Sequence, residues 1–170
     1  MAIADLTAAR LRELLEYDPA TGAFTWKRRP EDVQWDGRFG GKAAGSIDTI
    51  GYLRITVERH RYWAHRLAWL FATGEWPTGQ IDHINGDGLD NRLINLRDAS
   101  RKTNMENRRA ANTKTSDLPL GVRLDKRRGT YHFCLTTNYV LTRRGPFPSA
   151  EAAHAAYLIE KRRVHEGCTI

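Results

Sequence analysis

Gln80-Ile81-Asp82-His83-Ile84-Asn85-Gly86-Asp87 puts a carboxylate beside an imidazole directly before Asn85-Gly86, a turn-forming dipeptide. Asp82 can hold a hard cation. His83, with an ordinary pKa near 6.5, can take a proton from water at neutral pH. Successive side chains of a regular strand diverge, so convergence of the two predicts a strand end or a loop here. Downstream, Asp90-Asn91-Arg92-Leu93-Ile94-Asn95-Leu96 returns the chain, with Leu93, Ile94 and Leu96 expected to be buried and Asn95 as a hydrogen-bonding brace. Ser100 then caps an expected helix to about Ala111, whose first turn carries Asn104. A strand, a loop, a short return and a helix predict a ββα unit. Taken singly, Asp82-His83 also reads as a local hydrogen-bond pair, Asn95 as a turn residue and Asn104 as a surface helix residue.

Asp82-His83, with Asn95 twelve and Asn104 twenty-one residues after the histidine, resembles the HNH endonucleases, especially phage-encoded homing endonucleases, over about residues 50 to 110. The resemblance implies an α+β fold with a ββα-metal (His-Me finger) nuclease module. It makes His83 the general base, Asn95 the residue that pins the loop, and Asp82 and Asn104 the ligands of Mg²⁺ or Mn²⁺. Asn104 stands where other members carry a last His. Cleavage would leave 5′-phosphate and 3′-hydroxyl ends.

Lys and Arg number 27 against 20 Asp and Glu, for a net charge of +7 and a pI of about 9.7, a balance that favours polyanions. Residues 111 to 170 hold 10 basic and 5 acidic side chains, net +5; the remaining 17 and 15 leave +2 for residues 1 to 110. The C-terminal part is therefore the expected grip on phosphate. Two cysteines, Cys134 and Cys168, form no Cys-x-x-Cys pair, so no structural zinc is expected. No stretch approaches the roughly 20 apolar residues of a membrane helix, and a cytoplasmic protein is expected, in a bacterial host if phage-encoded.

Upstream, Thr7 predicts a helix cap, with Leu6 and Leu11 as a staple and Leu11, Leu14 and Leu15 as the apolar stripe. Asp18-Pro19-Ala20-Thr21-Gly22 turns into a strand at Ala23 to Lys27. Gly37 to Gly45, with Arg38 and Lys42, reads as a loop that either touches phosphates or is solvated. Leu53, Ile55 and Val57 alternate on one strand, Glu58 to Arg61 turns, and a second strand follows at Tyr62-Trp63-Ala64. A helix from His65 to Phe71, closed by Gly74, buries Leu67, Leu70 and Phe71. His65 is expected to be a hydrogen-bonded helix-start residue, and Arg66 a phosphate fork.

Residues 1 to 49 are thus accessory, 50 to 111 the nuclease core, and 112 to 118 a linker. In residues 119 to 167, Leu120, Val122 and Leu124, then Tyr131, Phe133 and Leu135, alternate with polar partners, and a third strand runs from about Tyr139 to Arg144. Ser149 caps a helix with Ala152, Ala153, Ala156 and Ile159 toward the sheet, ended by Gly167. This three-stranded antiparallel sheet packed on one helix is similar to the apetala-two/ethylene-response-factor DNA-binding domain, through Gly121-Val122-Arg123, Tyr131, Gly145-Pro146-Phe147 and Ala152-Ala153 to Ala156-Tyr157. The similarity implies that Arg123, His132, Thr136 and Arg143, flanked by Arg127 and Arg128, face double-stranded DNA. His132, Cys134 and Thr136 depart from that family's more polar base-reading residues. A solvated basic face is the plainer alternative. The expected protein is a site-directed, metal-dependent DNA endonuclease, monomeric and nicking one strand at a time, with a dimer as the other arrangement. A non-catalytic DNA-binding regulator is the runner-up, and an RNA-binding protein stands third.

Overall fold

In the computed structural model the described residues are 6–106, 117–137, 140–165 and 168. The expected linker from 112, the turn residue Asn138, the strand start at Tyr139 and the helix stop at Gly167 lie wholly or partly outside them. The chain divides into two units, Met1–Ser100 and Arg101–Ile170.

The first unit begins with α1 (Ala8–Leu14), where the Thr7 side chain accepts from the Arg10 N–H at 3.1 Å. Leu6, Leu11, Leu14 and Leu15 are all buried, as the staple and stripe require. β1 (Leu15–Tyr17) pairs antiparallel with β2 (Phe24–Trp26) around a turn in which Asp18 accepts from Ala20 and Thr21. The expected loop at Gly37 to Gly45 is partly helical, since α2 (Val33–Phe39) takes in Gly37 and Arg38. Asp32 caps it, and Lys42 donates to the Gly37 and Arg38 carbonyls at its far end. Burial does not hold α2 in place, because none of its residues is buried.

A three-stranded antiparallel sheet follows, in the order β3 (Ser46–Ile47), β4 (Leu53–Val57), β5 (His60–Trp63). The β4–β5 turn is tighter than expected. Glu58 and Arg59 alone make it, both left-handed at φ 48° and 68°, the conformation that matches strand twist in a two-residue hairpin. α3 (Ala64–Thr73) buries Ala64, Leu67, Ala68 and Leu70 and stops at left-handed Gly74, whose N–H caps the Leu70 carbonyl. These apolar faces, with Phe24, Ile55, Val57, Ile81 and Leu96, make one core. The last pair is β6 (Gln80–His83) with β7 (Leu96–Ala99), joined through a 3₁₀ turn at Leu93–Asn95. Ile94, expected inside, is 84% exposed; the 3₁₀ turn buries Asn95 in its place.

The second unit contains α4 (Arg101–Glu106) and an antiparallel sheet ordered β10 (Val140–Phe147), β9 (Thr130–Thr137), β8 (Val122–Asp125). α5 (Ala150–Val164), capped by Ser149 and ending at His165, packs on it through Tyr157 against Phe133 and Leu135. Ala153, Tyr157 and Lys161 recur every four residues as the buried face, which turns Ile159 outward at 66% exposure, against expectation. Leu124, on the edge strand β8, is likewise 40% exposed.

Gly22 ties the N-terminal turn to the chain beyond β6. At φ +75° it lies so close to residues 91 and 92 that a Cβ would stand 2.6 Å from the Asn91 carbonyl carbon and the Arg92 nitrogen. Gly22→Ala should cost about 1–3 kcal/mol through overpacking and the positive φ. Urea denaturation measures it, and Gly129→Ala, also at positive φ but in open space, controls for strain alone.

Candidate active site

Asp98 anchors the entry to β6 by accepting from the Thr78 N–H at 2.7 Å and the Gly79 N–H at 2.8 Å. Asp82 and His83 then form the last two residues of the strand rather than a loop, and each is only 6% exposed. Their partners differ, as alternation along a strand requires. Asp82 stands directly opposite Arg97 in the register. The arginine's Nη2 and Nε lie 2.7 and 2.9 Å from Asp82 Oδ2. His83 Nε2 lies 3.4 Å from Asn91 Oδ1, and the ring meets His65 edge to face at 5.1 Å and Tyr52 at 5.8 Å.

Asn95 closes the intervening loop from inside. Its Oδ1 accepts from the Asn85 N–H at 2.9 Å, its Nδ2 donates to the Asp90 carbonyl at 2.8 Å, and its own carbonyl accepts from Ile84 at 2.8 Å. Left-handed Gly86 makes the turn expected of Asn85-Gly86, donating to the His83 carbonyl. The Arg92 guanidinium beside Asp90 holds that carboxyl down to about 2, and Asn85 donates to it as well. Asn91 is 1% exposed, and Tyr17 donates to its carbonyl at 2.9 Å. Asn91 and Arg97 were not singled out in the sequence, where only the hairpin register could have marked Arg97.

Burial pushes the His83 imidazole below the usual 6.5, opposed by its bond to Asn91 and by Asp82. His65, second residue of α3, is driven further, to about 3, by burial and then by His83 and Arg66. Its Nδ1 is buried with no hydrogen-bond partner, contrary to the expected bonded helix start. Its ring stacks on Trp63 at 6.0 Å. Arg66 is half-buried, donating to the Gly79 carbonyl at 3.2 Å, with its guanidinium 5.7 Å over Trp76. Asn104 lies on α4, in the second unit.

Within that unit, Arg123, His132, Thr136 and Arg143 line one groove of about 920 Å³, and Arg127 and Arg128 share an adjoining one of about 480 Å³ with His132 and Arg143. The register explains the gathering, since Arg123 faces His132 across β8–β9 and Arg143 faces Cys134 across β9–β10. His132, expected to be exposed, is buried at 8%, with Arg143 Nη2 donating to its Nδ1 at 3.1 Å. Burial and then Arg143 keep this imidazole below its usual pKa. Among the described residues no helix is long and apolar enough to cross a membrane.

Residues 62–106 match a family model described as HNH endonuclease. That segment holds Asp82, His83, Asn91, Asn95, Arg97 and Asn104. No curated protein matches the chain. A solved structure described as "DNA binding and cleavage by the HNH homing endonuclease I-HmuI" aligns with a TM-score of 0.40 and 19% identity, covering 91% of this chain and 88% of that one. A TM-score that low carries no weight for the fold.

The unfolded His65 takes up a proton near 6.5, whereas the folded residue stays neutral until about 3. Its contribution to stability is therefore whole above 6.5 and is lost progressively as pH falls toward 3. Melting temperatures across that range should fall less steeply for His65→Gln than for the parent chain. Identical slopes would remove His65 from the acid response, leaving it to other groups such as His83.

Proposed function

We propose that the chain is a metal-dependent DNA endonuclease in which His83 is the general base. The observation that carries this reading is the strand end where His83 is buried beside Asp82 and held by Asn91, inside the segment that matches the HNH model. An imidazole kept below its usual pKa is neutral at pH 7 and ready to accept a proton. Asn91 beside Nε2 fixes the orientation of the ring, and the neutral imidazole takes the proton of the attacking water. Asn95 serves by keeping the loop closed so that His83 does not drift from its working orientation.

The Asp82 carboxylate would offer an oxygen donor to a hard cation that retains waters, Mg²⁺ or Mn²⁺. Such a cation would supply positive charge against the scissile phosphate and the departing 3′ oxygen. Arg97 holds the Asp82 carboxylate in a fixed orientation. Double-stranded DNA is the substrate, gripped by Arg123, Arg127, Arg128, Thr136 and Arg143 on the second unit's sheet, with His132 orienting Arg143. Arg66 acts indirectly, bracing the start of β6.

The Asp82–Arg97 ion pair favours one other reading, a DNA-binding regulator whose carboxylate is permanently engaged by arginine. Supercoiled plasmid separates the two. The endonuclease converts it to open circles before any linear form, with Mg²⁺ and not with EDTA; the regulator retards it uncut under both conditions.

His83→Ala should lower the cleavage rate about 10²- to 10⁴-fold while DNA affinity stays within a few-fold, and full activity would remove His83 from the base role. Its depressed pKa places the acidic limb of the pH–rate profile below 6.5, because the neutral form persists to lower pH. On duplex DNA, a phosphate-binding arginine lowers the slope of log K against log salt by roughly 0.9 when removed, whereas a base-reading one costs about 1–3 kcal/mol at a single base pair. Arg123→Gln and Arg143→Gln, titrated against salt and against a panel of single-base variants, assign each arginine to one role.

A further inference from the structure

The first unit has another concave surface, a cleft of about 610 Å³ that shares no residue with the Asp82–His83 site. Trp26, Trp35 and Phe39 line it, all half-buried, so each keeps part of its ring surface in the cleft. Trp26 and Trp35 meet at 88° with centroids 5.5 Å apart, and Phe39 lies 5.5 Å from Trp35. The Arg29 guanidinium lies over Trp35 at 4.0 Å. Arg10, Arg54 and Arg59 stand on the rim beside one carboxylate, Glu58, which Arg10 engages.

The cations on this rim are of two kinds. Arg10 is spent on Glu13 and Glu58, and Arg54 on Asp48. Arg29 and Arg59 have no carboxylate within ion-pair distance among the described residues, and Glu58, the carboxylate on the rim, is paired with Arg10. Moreover α2, which brings Trp35 and Phe39 to the cleft, contributes no buried residue to the core and is held by the Asp32 cap, the Asp36 bonds to Arg28 and Arg29, and Lys42. An element that adds nothing to the core yet is fastened at both ends supplies a wall. Rings plus guanidinium groups not engaged by carboxylates are the chemistry of a site for flat, anionic ligands, with stacking for the base and charge for the phosphate.

We infer that this cleft binds an unstacked nucleotide of single-stranded DNA, its base against Trp35 and Trp26 and its phosphate on Arg29 and Arg59. The inference goes beyond endonuclease activity and does not need it. Arg54, on the cleft's rim, lies 3.8 Å over Trp63, a ring that also meets His65.

Fluorescence anisotropy of the full chain with a labelled oligothymidylate, in EDTA so that no strand is cut, tests the assignment. Trp35→Ala should weaken binding about tenfold, the effect of losing one stacking platform, while Trp35→Phe stays within about threefold. Arg29→Gln and Arg59→Gln should each lower the salt slope by roughly 0.7, the value for single strands. An abasic oligomer of equal charge should bind as weakly to the parent as oligothymidylate does to Trp35→Ala. Unchanged melting temperatures and duplex affinity show that the variants are folded, and plasmid cleavage, scored separately, reports on the endonuclease reading alone. Equal affinity of parent and Trp35→Ala, loss of binding only on Arg123→Gln, tighter binding of oligouridylate, or equal displacement by an oligoglutamate of the same charge would each overturn the inference.

Discussion

A carboxylate and an imidazole on consecutive buried residues are costly unless each finds a partner, and that requirement organises the first unit. Because the two side chains leave β6 in different directions, their partners must come from different places: Arg97 from the strand alongside, Asn91 from the loop beyond. Both depend on how the hairpin closes, and closure is performed by Asn95, which binds both ends of the loop with one side chain. The β1–β2 turn supports the arrangement from outside, with Tyr17 on the Asn91 carbonyl and Gly22 pressed against the same segment.

Much of this organisation is legible in the residues, for reasons that differ from element to element. α1, β4 and α3 carry apolar periodicities that match their buried faces, and Gly74 stops α3 because a left-handed cap is required there. α2 leaves no such trace, since polar caps and ring contacts hold it where burial does not. The Asp82–Arg97 pair is hidden for another reason. It arises from a register that pairs residues fifteen positions apart, and no local pattern in either strand announces it. His83 and Asn95 were visible by type and spacing; the way His65 crowds His83 was not, because only folding brings α3 beside β6.

The second unit follows the period-two pattern closely on its inner face and less so on its outer one. Phe133, Leu135 and Tyr157 form the expected seam with α5. On the opposite face Arg123, His132, Thr136 and Arg143 line one groove, and alternation says nothing of their depth. Arg143 donates to the His132 ring, and the ring is buried. A long cation thus spends part of its reach on a neighbour, which narrows the set of orientations it can offer a ligand and lowers the entropy lost when it binds one.

The cross-strand arginine also separates folding from metal supply. In small domains knit together by a metal, the ion's binding energy is the folding energy, and a chelator unfolds them. Here the Asp82 carboxylate already has a counter-ion from its own hairpin. On the nuclease reading proposed above, a divalent cation at that carboxylate would be a reagent that comes and goes with the substrate rather than a part of the fold.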